Sequence, residues 1–325
     1  MKIKDRFHLT FNWALAGIFL LLFLAIGLTH TVLFSVNYLI GVMLCNAVEI
    51  GMMALPMTLI IVTGGIDLSV GSMMILSAMA GGLTAAHAGS TIGIICTFLV
   101  GGLCGLFNGI LIAKVRISPL VTTLATMFLY MGIGSGISGG DSVYAFGAAS
   151  FLGNTIVAGV PLQILYYIIL AVIFTLMLSR MVIGRQLYAV GRNENATVFA
   201  GIATDKVKIG IYTLSGIICA FAGIILLGRF TSVKYDAGTN VNLQVITIVV
   251  LGGTNILGGY GDMKGTILAT LIIAVLNSGL TLLNIPIDTQ IIINGIVLVI
   301  SLITFAVIGR RKKAGLILKT SMEKV

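Results

Sequence analysis

The sequence predicts an all-α, polytopic membrane bundle of about ten transmembrane helices with both termini in the cytoplasm, and three observations predict it. Apolar residues make up 58% of the chain and charged residues only 9%, against about 25% charged in soluble domains. Mean hydropathy is +1.14. Apolar runs of about 20 residues recur along the length, enough to cross ~30 Å of hydrocarbon. The basic residues, finally, fall almost entirely in alternate loops.

Taken in order, spans are expected at 13–34, 38–62, 70–88, 91–113, 119–138, 161–180, 209–228, 241–257, 266–283 and 290–308. The eighth is short and rich in Val and Ile. With the N-terminus inside, 17 of the 19 Lys and Arg residues face the cytoplasm and only Arg229 and Lys234 lie outside. An odd number of spans scrambles this pattern. The net charge of +9 is therefore a topology signal and not a nucleic-acid footprint. The run GRRKKAG past the last span is placed to meet anionic lipid headgroups. The first span has a basic start, but its apolar run is too long for a cleaved leader and no small-residue cleavage site follows. The four cysteines all lie within spans without paired spacing, so neither a disulfide framework nor a metal site is expected.

Within the second span, Glu49 is the only acidic residue deep in apolar sequence. Asn46 and Met53 share its helix face, and Pro56 follows as a kink site. Intramembrane ionisable groups usually face a bundle interior. Glu49 can serve a substrate path, or bond to a neighbouring helix. The loop TGGIDLSVGS (63–72) follows: its glycine pair ends one helix, and Asp67 or Ser69 can cap the next. Asp67 reads as a structural cap or as part of a gate. Spans four and five carry glycine ladders, at Gly101, Gly105 and Gly109 and at Gly132, Gly136 and Gly140, which let helix backbones approach. Asn108 in the fourth span can line a polar path or bond between helices. The candidate path residues are thus Asn46, Glu49, Asp67 and Asn108.

The stretch 181–208 is the one long polar loop between two apolar spans. Asn193 is a good N-cap, Glu194 suits a positive helix N-terminus and Gly201 a helix stop. A short helix over 194–200 is expected outside the membrane, offering Ala196, Val198, Phe199 and Ala200 to a partner. A second glycine-dense break, LGGTNILGGYGDMKG (251–265), echoes the first.

No G-x-x-x-x-G-K-[ST] sequence occurs, so ATP is not bound by that device. His8, His30 and His87 are scattered, and no zinc motif or nucleophile–base set can be built from them. The chain is expected to be neither an enzyme nor a metal protein.

Three segments carry a resemblance: MTLIIVTGGIDLSVGSMM, GRQLYAVGRNENATVFAGI and IVVLGGTNILGGYGDMKGT. In that order and at these separations they resemble the permeases of bacterial ribose-type ABC importers, a group that also serves autoinducer-2 and has branched-chain amino acid permeases as more distant relatives. The similarity runs from about residue 39 to 308. It implies a single transmembrane permease domain over 1–325, in the bacterial inner membrane, that translocates a monosaccharide or a sugar-like molecule such as autoinducer-2. Its partners would be a cytosolic ATPase subunit that binds the ATP, a second permease copy or a paralogous permease, and an extracytoplasmic sugar-binding protein. The 181–208 loop would be the coupling loop, with Arg185, Gly191, Asn193, Glu194, Ala196, Phe199 and Gly201 engaging the ATPase. The loop 139–160, with no Lys or Arg and with Asp141, Ser142 and Asn154, suits contact with the binding protein. A less favoured reading is an ion-coupled transporter using Glu49.

Overall fold

The computed structural model describes the backbone of residues 3–322 and the side chains of residues 11–304. The basic residues at the two ends, including Lys2, Lys4, Arg6 and those at 310–313, lie outside the described side chains. Among the described residues nine helices are long and apolar enough to cross a membrane, and one further apolar helix is too short. The chain is a polytopic helical bundle.

The first span is helix α1 (Ile3–Thr29), closed by a single 3₁₀ turn at Thr31–Phe34. The second starts with α2 (Val36–Tyr38), passes through a π-helical turn at Leu39–Leu44 and continues as α3 (Cys45–Val62) with Pro56 inside it. Helix α3 is buried along nearly its whole length. The 63–69 break then leads into α4 (Val70–Ala88), and residues of both helices share one hydrophobic core. Next come α5 (Ser90–Ala113) and α6 (Pro119–Ser138), whose proline stands in the first turn, where a missing N–H costs nothing.

The loop 139–160 is more ordered than its composition suggests. It holds β1 (Val143–Tyr144), α7 (Gly147–Asn154) and a small hairpin of β2 (Ile156–Val157) and β3 (Val160–Pro161). Asn154 is not free: its amide donates to the Gly228 carbonyl at 2.7 Å. Helix α8 (Leu162–Ser179) returns across the bundle, and α11 (Thr204–Phe230) is the long central helix.

The α5 glycine ladder works as expected. A Cβ on Gly105 would collide with the Tyr212 carbonyl oxygen, and one on Gly216 with that of Gly101. Helices α5 and α11 thus touch backbone to backbone. The α6 ladder has a different fate: Gly132, Gly136 and Gly140 have nothing within reach of a Cβ. A Gly216→Val substitution should therefore lower the melting temperature of detergent-purified protein markedly, while Gly136→Ala should not. Overpacking costs about 1–3 kcal/mol even where a core can give way, and here the obstacle is backbone. Equal melting temperatures for the two variants would refute the close α5–α11 contact.

The expected eighth span, 241–257, is corrected. Helix α12 covers only Val241–Leu251, and the chain then turns at Gly253, whose φ is +96°. The apolar run continues to Leu257, which is why the sequence reads longer than the helix. Its start at residue 241 is as expected, but that start lies within the bundle. Strand β4 (Ser232–Val233) pairs with β1, Val143 abuts Gly82 on α4, and the Gly238 carbonyl lies against Gly71 near the start of α4. Gly82 and Gly71 are about 16 Å apart along the helix. The segment 231–240 therefore descends into the bundle before α12 begins. Irregular backbone at membrane depth survives only where protein covers it. Helices α13 (Met263–Leu282) and α14 (Ile287–Met322) complete the fold.

Candidate coupling site

Residues 181–208 fold into two helices, not one. The first, α9 (Val182–Arg192), was not anticipated, although its pattern was readable: Gly184, Leu187 and Val190 recur every three residues and form its buried face. The second is α10 (Glu194–Phe199). Asn193 caps it as expected, its Oδ1 accepting from the Ala196 N–H at 3.0 Å. Gly201 ends it at φ +82°.

The seven residues singled out in this loop divide into two groups. Arg185, Ala196, Phe199 and Gly201 are exposed, and Phe199 is the extreme case at 91%. Gly191, Asn193 and Glu194 instead hold the loop to the bundle. Glu194 accepts from Arg116 at 3.1 Å and from Lys208 at 2.6 Å. Arg116 also reaches Asp205 at 2.9 Å, and Lys114 reaches the same carboxylate at 3.3 Å. Five charges thus tie α10 to the α5–α6 turn and to the start of α11. The sequence placed these residues on one side of the membrane but gave no sign of the pairing.

Gly191 sits at a three-way crossing. A Cβ there would collide with the Val62 carbonyl oxygen and come within 2.5 Å of the Gly259 nitrogen. That carbonyl accepts the Gly259 N–H at 2.8 Å. Gly258 packs against Gly64, and both take positive φ, +83° each. The two glycine-dense breaks that echo each other in sequence therefore meet in space, and α9 ends on their crossing. The Tyr188 hydroxyl adds a bond to the Gly261 carbonyl at 2.7 Å. Burial, helped by the Asp262 carboxylate and opposed by Arg192, pushes this phenol up to about 12. It stays a donor at any pH a cell meets.

The four path candidates do not converge. Asp67 Oδ1 accepts from the Ser69 N–H at 2.9 Å and from its hydroxyl at 2.6 Å, which makes Asp67 a turn residue leading into α4. The Asn108 amide donates to Ser69 Oγ at 2.8 Å, and the Tyr130 hydroxyl donates to Asn108 Oδ1 at 3.1 Å. All are at most 3% exposed. This buried chain joins α4, α5 and α6 and leaves no open face for a solute.

Glu49 lies near the opposite end of the bundle and is spoken for. Its Oε1 pairs with Arg229 at 2.6 Å, while the same guanidinium donates to the Cys45 carbonyl at 2.9 Å and to Asn46 Oδ1 at 2.5 Å. Arg229 stands in the last turn of α11, so one of the two basic residues that broke the loop pattern is the partner of the one deep carboxylate. Asn46 lines a cavity.

Residues 38–302 match the branched-chain amino acid transport system / permease component family. The chain belongs to that family. Relatives include the ribose import permease protein RbsC of Bacillus subtilis (strain 168), 36% identical over 271 residues that cover 81% of this chain and 82% of the relative. The autoinducer 2 import system permease protein LsrD of Photorhabdus temperata is 35% identical over 318 residues, covering 95% and 93%. LsrD of Escherichia coli (strain SMS-3-5 / SECEC) is 32% identical over 313 residues, covering 93% of each chain. No solved structure matches the chain. The relatives are transport permeases, and this permease component is a multi-pass protein of the inner membrane. All three segments that carried the resemblance lie within the matched region, and all three meet at the crossing at Gly191.

Proposed function

We propose that this chain is the permease subunit of an ATP-driven importer that carries a monosaccharide or sugar-like molecule inward, powered by a separate cytosolic ATPase. On this reading residues 1–325 form one transmembrane permease domain with both termini and the 181–208 loop in the cytoplasm. An extracytoplasmic binding protein delivers the cargo, and a second permease, identical or paralogous, completes the pathway. Cargo of the ribose or autoinducer-2 kind follows from relatives named for both, at similar identity over most of the chain.

The observation that carries the reading is the build of α10. A 91% exposed phenylalanine stands on a capped helix that is anchored by ion pairs and wired through Gly191 into two breaks of the bundle. An exposed aromatic on a rigid mount suits a partner's pocket. The mount in turn lets a push from that partner reach the helices. The ion-coupled reading is less favoured, because Glu49 is held by an arginine and is not open to a path.

Co-expression with the neighbouring ATPase and binding protein, followed by uptake of labelled sugars including autoinducer-2, tests it. ATP-dependent uptake of one compound is expected. Phe199→Ser should lower that uptake more than tenfold with the chain still inserted, and should abolish stimulation of ATP hydrolysis. Uptake indifferent to the ATPase, or to Phe199, overturns the proposal.

A further inference from the structure

At the end of the bundle away from α9 and α10, a cavity of about 90 Å³ opens between the π-helical turn, α3, α12 and α13. Tyr38, Asn46, Thr270, Asn277, Ser278 and Thr281 line it together with aliphatic residues that include Ile50 and Ile248. No charged side chain faces it. We infer that this cleft is a cargo-binding station within a single permease chain, built for an uncharged polyhydroxylated ligand. The inference rests on the importer reading above and narrows its cargo to a class.

Four features carry it. First, hydrogen-bonding capacity is left unspent. Among the described residues, the Tyr38 and Ser278 hydroxyls have no hydrogen-bond partner. Asn277 uses its Oδ1 to accept from Asn294 at 3.2 Å, and Asn46 uses its Oδ1 for Arg229, so both amide NH₂ groups remain to donate. These uncommitted donors and hydroxyls stand on the lining of the cleft, where an entering solute can bond them. Second, a lining that mixes apolar and polar side chains suits a sugar ring, whose C–H faces are apolar and whose rim is hydroxylated.

Third, the charge balance excludes an amino acid. A zwitterion taken from water brings two full charges, each costing several kcal/mol without a counter-charge. Arg229, the cation nearest Asn46, is neutralised by Glu49. Hydroxyls ask only for hydrogen bonds. Fourth, the wall can move. Val42 and Met43 lie on the π-helical turn Leu39–Leu44, and such turns are frequent at functional sites because their hydrogen-bond register is already displaced. The cleft measures about 90 Å³, and parting of this wall from α13 would widen it around a sugar ring.

The assembled importer provides the test, with D-ribose, D-xylose and L-leucine as labelled probes. Ser278→Leu and Asn277→Leu should each cut sugar uptake at least tenfold, while binding-protein-stimulated ATP hydrolysis stays within twofold of the unaltered complex. Should those variants fold poorly, Ser278→Cys gives a milder readout. Its labelling by a membrane-impermeant thiol reagent should slow at least fivefold in saturating ribose or xylose, whichever the importer carries. Uptake within twofold of normal in both leucine variants, or labelling indifferent to sugar, overturns the cleft. Transport of leucine by the unaltered complex overturns the polyol assignment while leaving the importer reading intact. ATP-independent sugar uptake sinks the importer reading instead, and the cleft is then scored on the same variants' uptake.

Discussion

Gly191→Val is expected to abolish ATP-driven uptake while leaving the chain in the membrane at near-normal amount. The α9 backbone at Gly191 lies against the Val62 carbonyl and the Gly259 nitrogen, so a side chain there meets backbone and not a flexible neighbour. Only two adjustments relieve the clash. Either α9 lifts from the crossing, or the 62–64 and 258–261 segments spread and lose the Gly259–Val62 hydrogen bond. Both sever the one place where the loop touches two breaks of the bundle together. The transmembrane packing of α4, α5 and α11 lies elsewhere and should persist. The measurement is uptake beside membrane content and ATP hydrolysis in the assembled complex. Hydrolysis should continue at a basal rate without transport. Wild-type uptake by Gly191→Val would show that motion does not pass through this crossing.

The ion pairs made by Arg116 and Lys114 are expected to matter far less. Exposed pairs contribute ~0–1 kcal/mol each, and the Arg116 and Lys114 side chains are 56% and 62% exposed. Asn193→Ala, by loss of a cap, should cost about 1 kcal/mol locally. These groups set where α10 stands. Phe199 and Gly191 decide what it touches at each end.

What the sequence makes legible follows from the kind of force involved. Most span limits are readable because transfer of an apolar run into lipid is additive and local, although nine described helices and not ten are long enough to cross. For example, 70–88 and 119–138 match α4 and α6 to the residue. Capping is also local, so Asn193, Gly201 and the Asp67 turn were readable too. The failures are non-local. Hydropathy cannot see that 231–240 enters the bundle, because its cover comes from α4 and from β1. The Glu49–Arg229 pair joins residues 180 apart in sequence, and no spacing rule links them. The path residues were chosen for polarity alone, and polarity inside a bundle is more often used between helices. Asn108 is used in that way here, and Asp67 holds a local turn. The meeting of the two glycine-dense breaks had a faint signal in their likeness, but only the fold gives it meaning.

Arg229→Leu is expected to be among the most destabilising single changes in the chain, by about 3–5 kcal/mol, because it strands a buried carboxylate. Glu49 is 3% exposed, and the same substitution removes donors from the Cys45 carbonyl and from Asn46. The double variant Glu49→Leu/Arg229→Leu should recover most of the loss, since replacing both members of a buried pair with apolar groups is often close to neutral. Melting temperatures of the purified singles and the double form a thermodynamic cycle that reads the coupling directly. The same double variant separates two mechanisms. If the carboxylate only clamps α3 to the end of α11, uptake should survive in the double, reduced by whatever Asn46 loses in the cleft. An ion-coupled transporter that relies on Glu49 should lose uptake altogether. Helix α3 gives this test its reach. It carries Asn46 and Glu49 at one end and delivers the Val62 carbonyl to Gly191 at the other. Clamp, cleft wall and coupling crossing are then stations on one buried rod of ~27 Å. A variant that restores the clamp's stability without its charge therefore asks whether the rod needs a proton or only a fixed end.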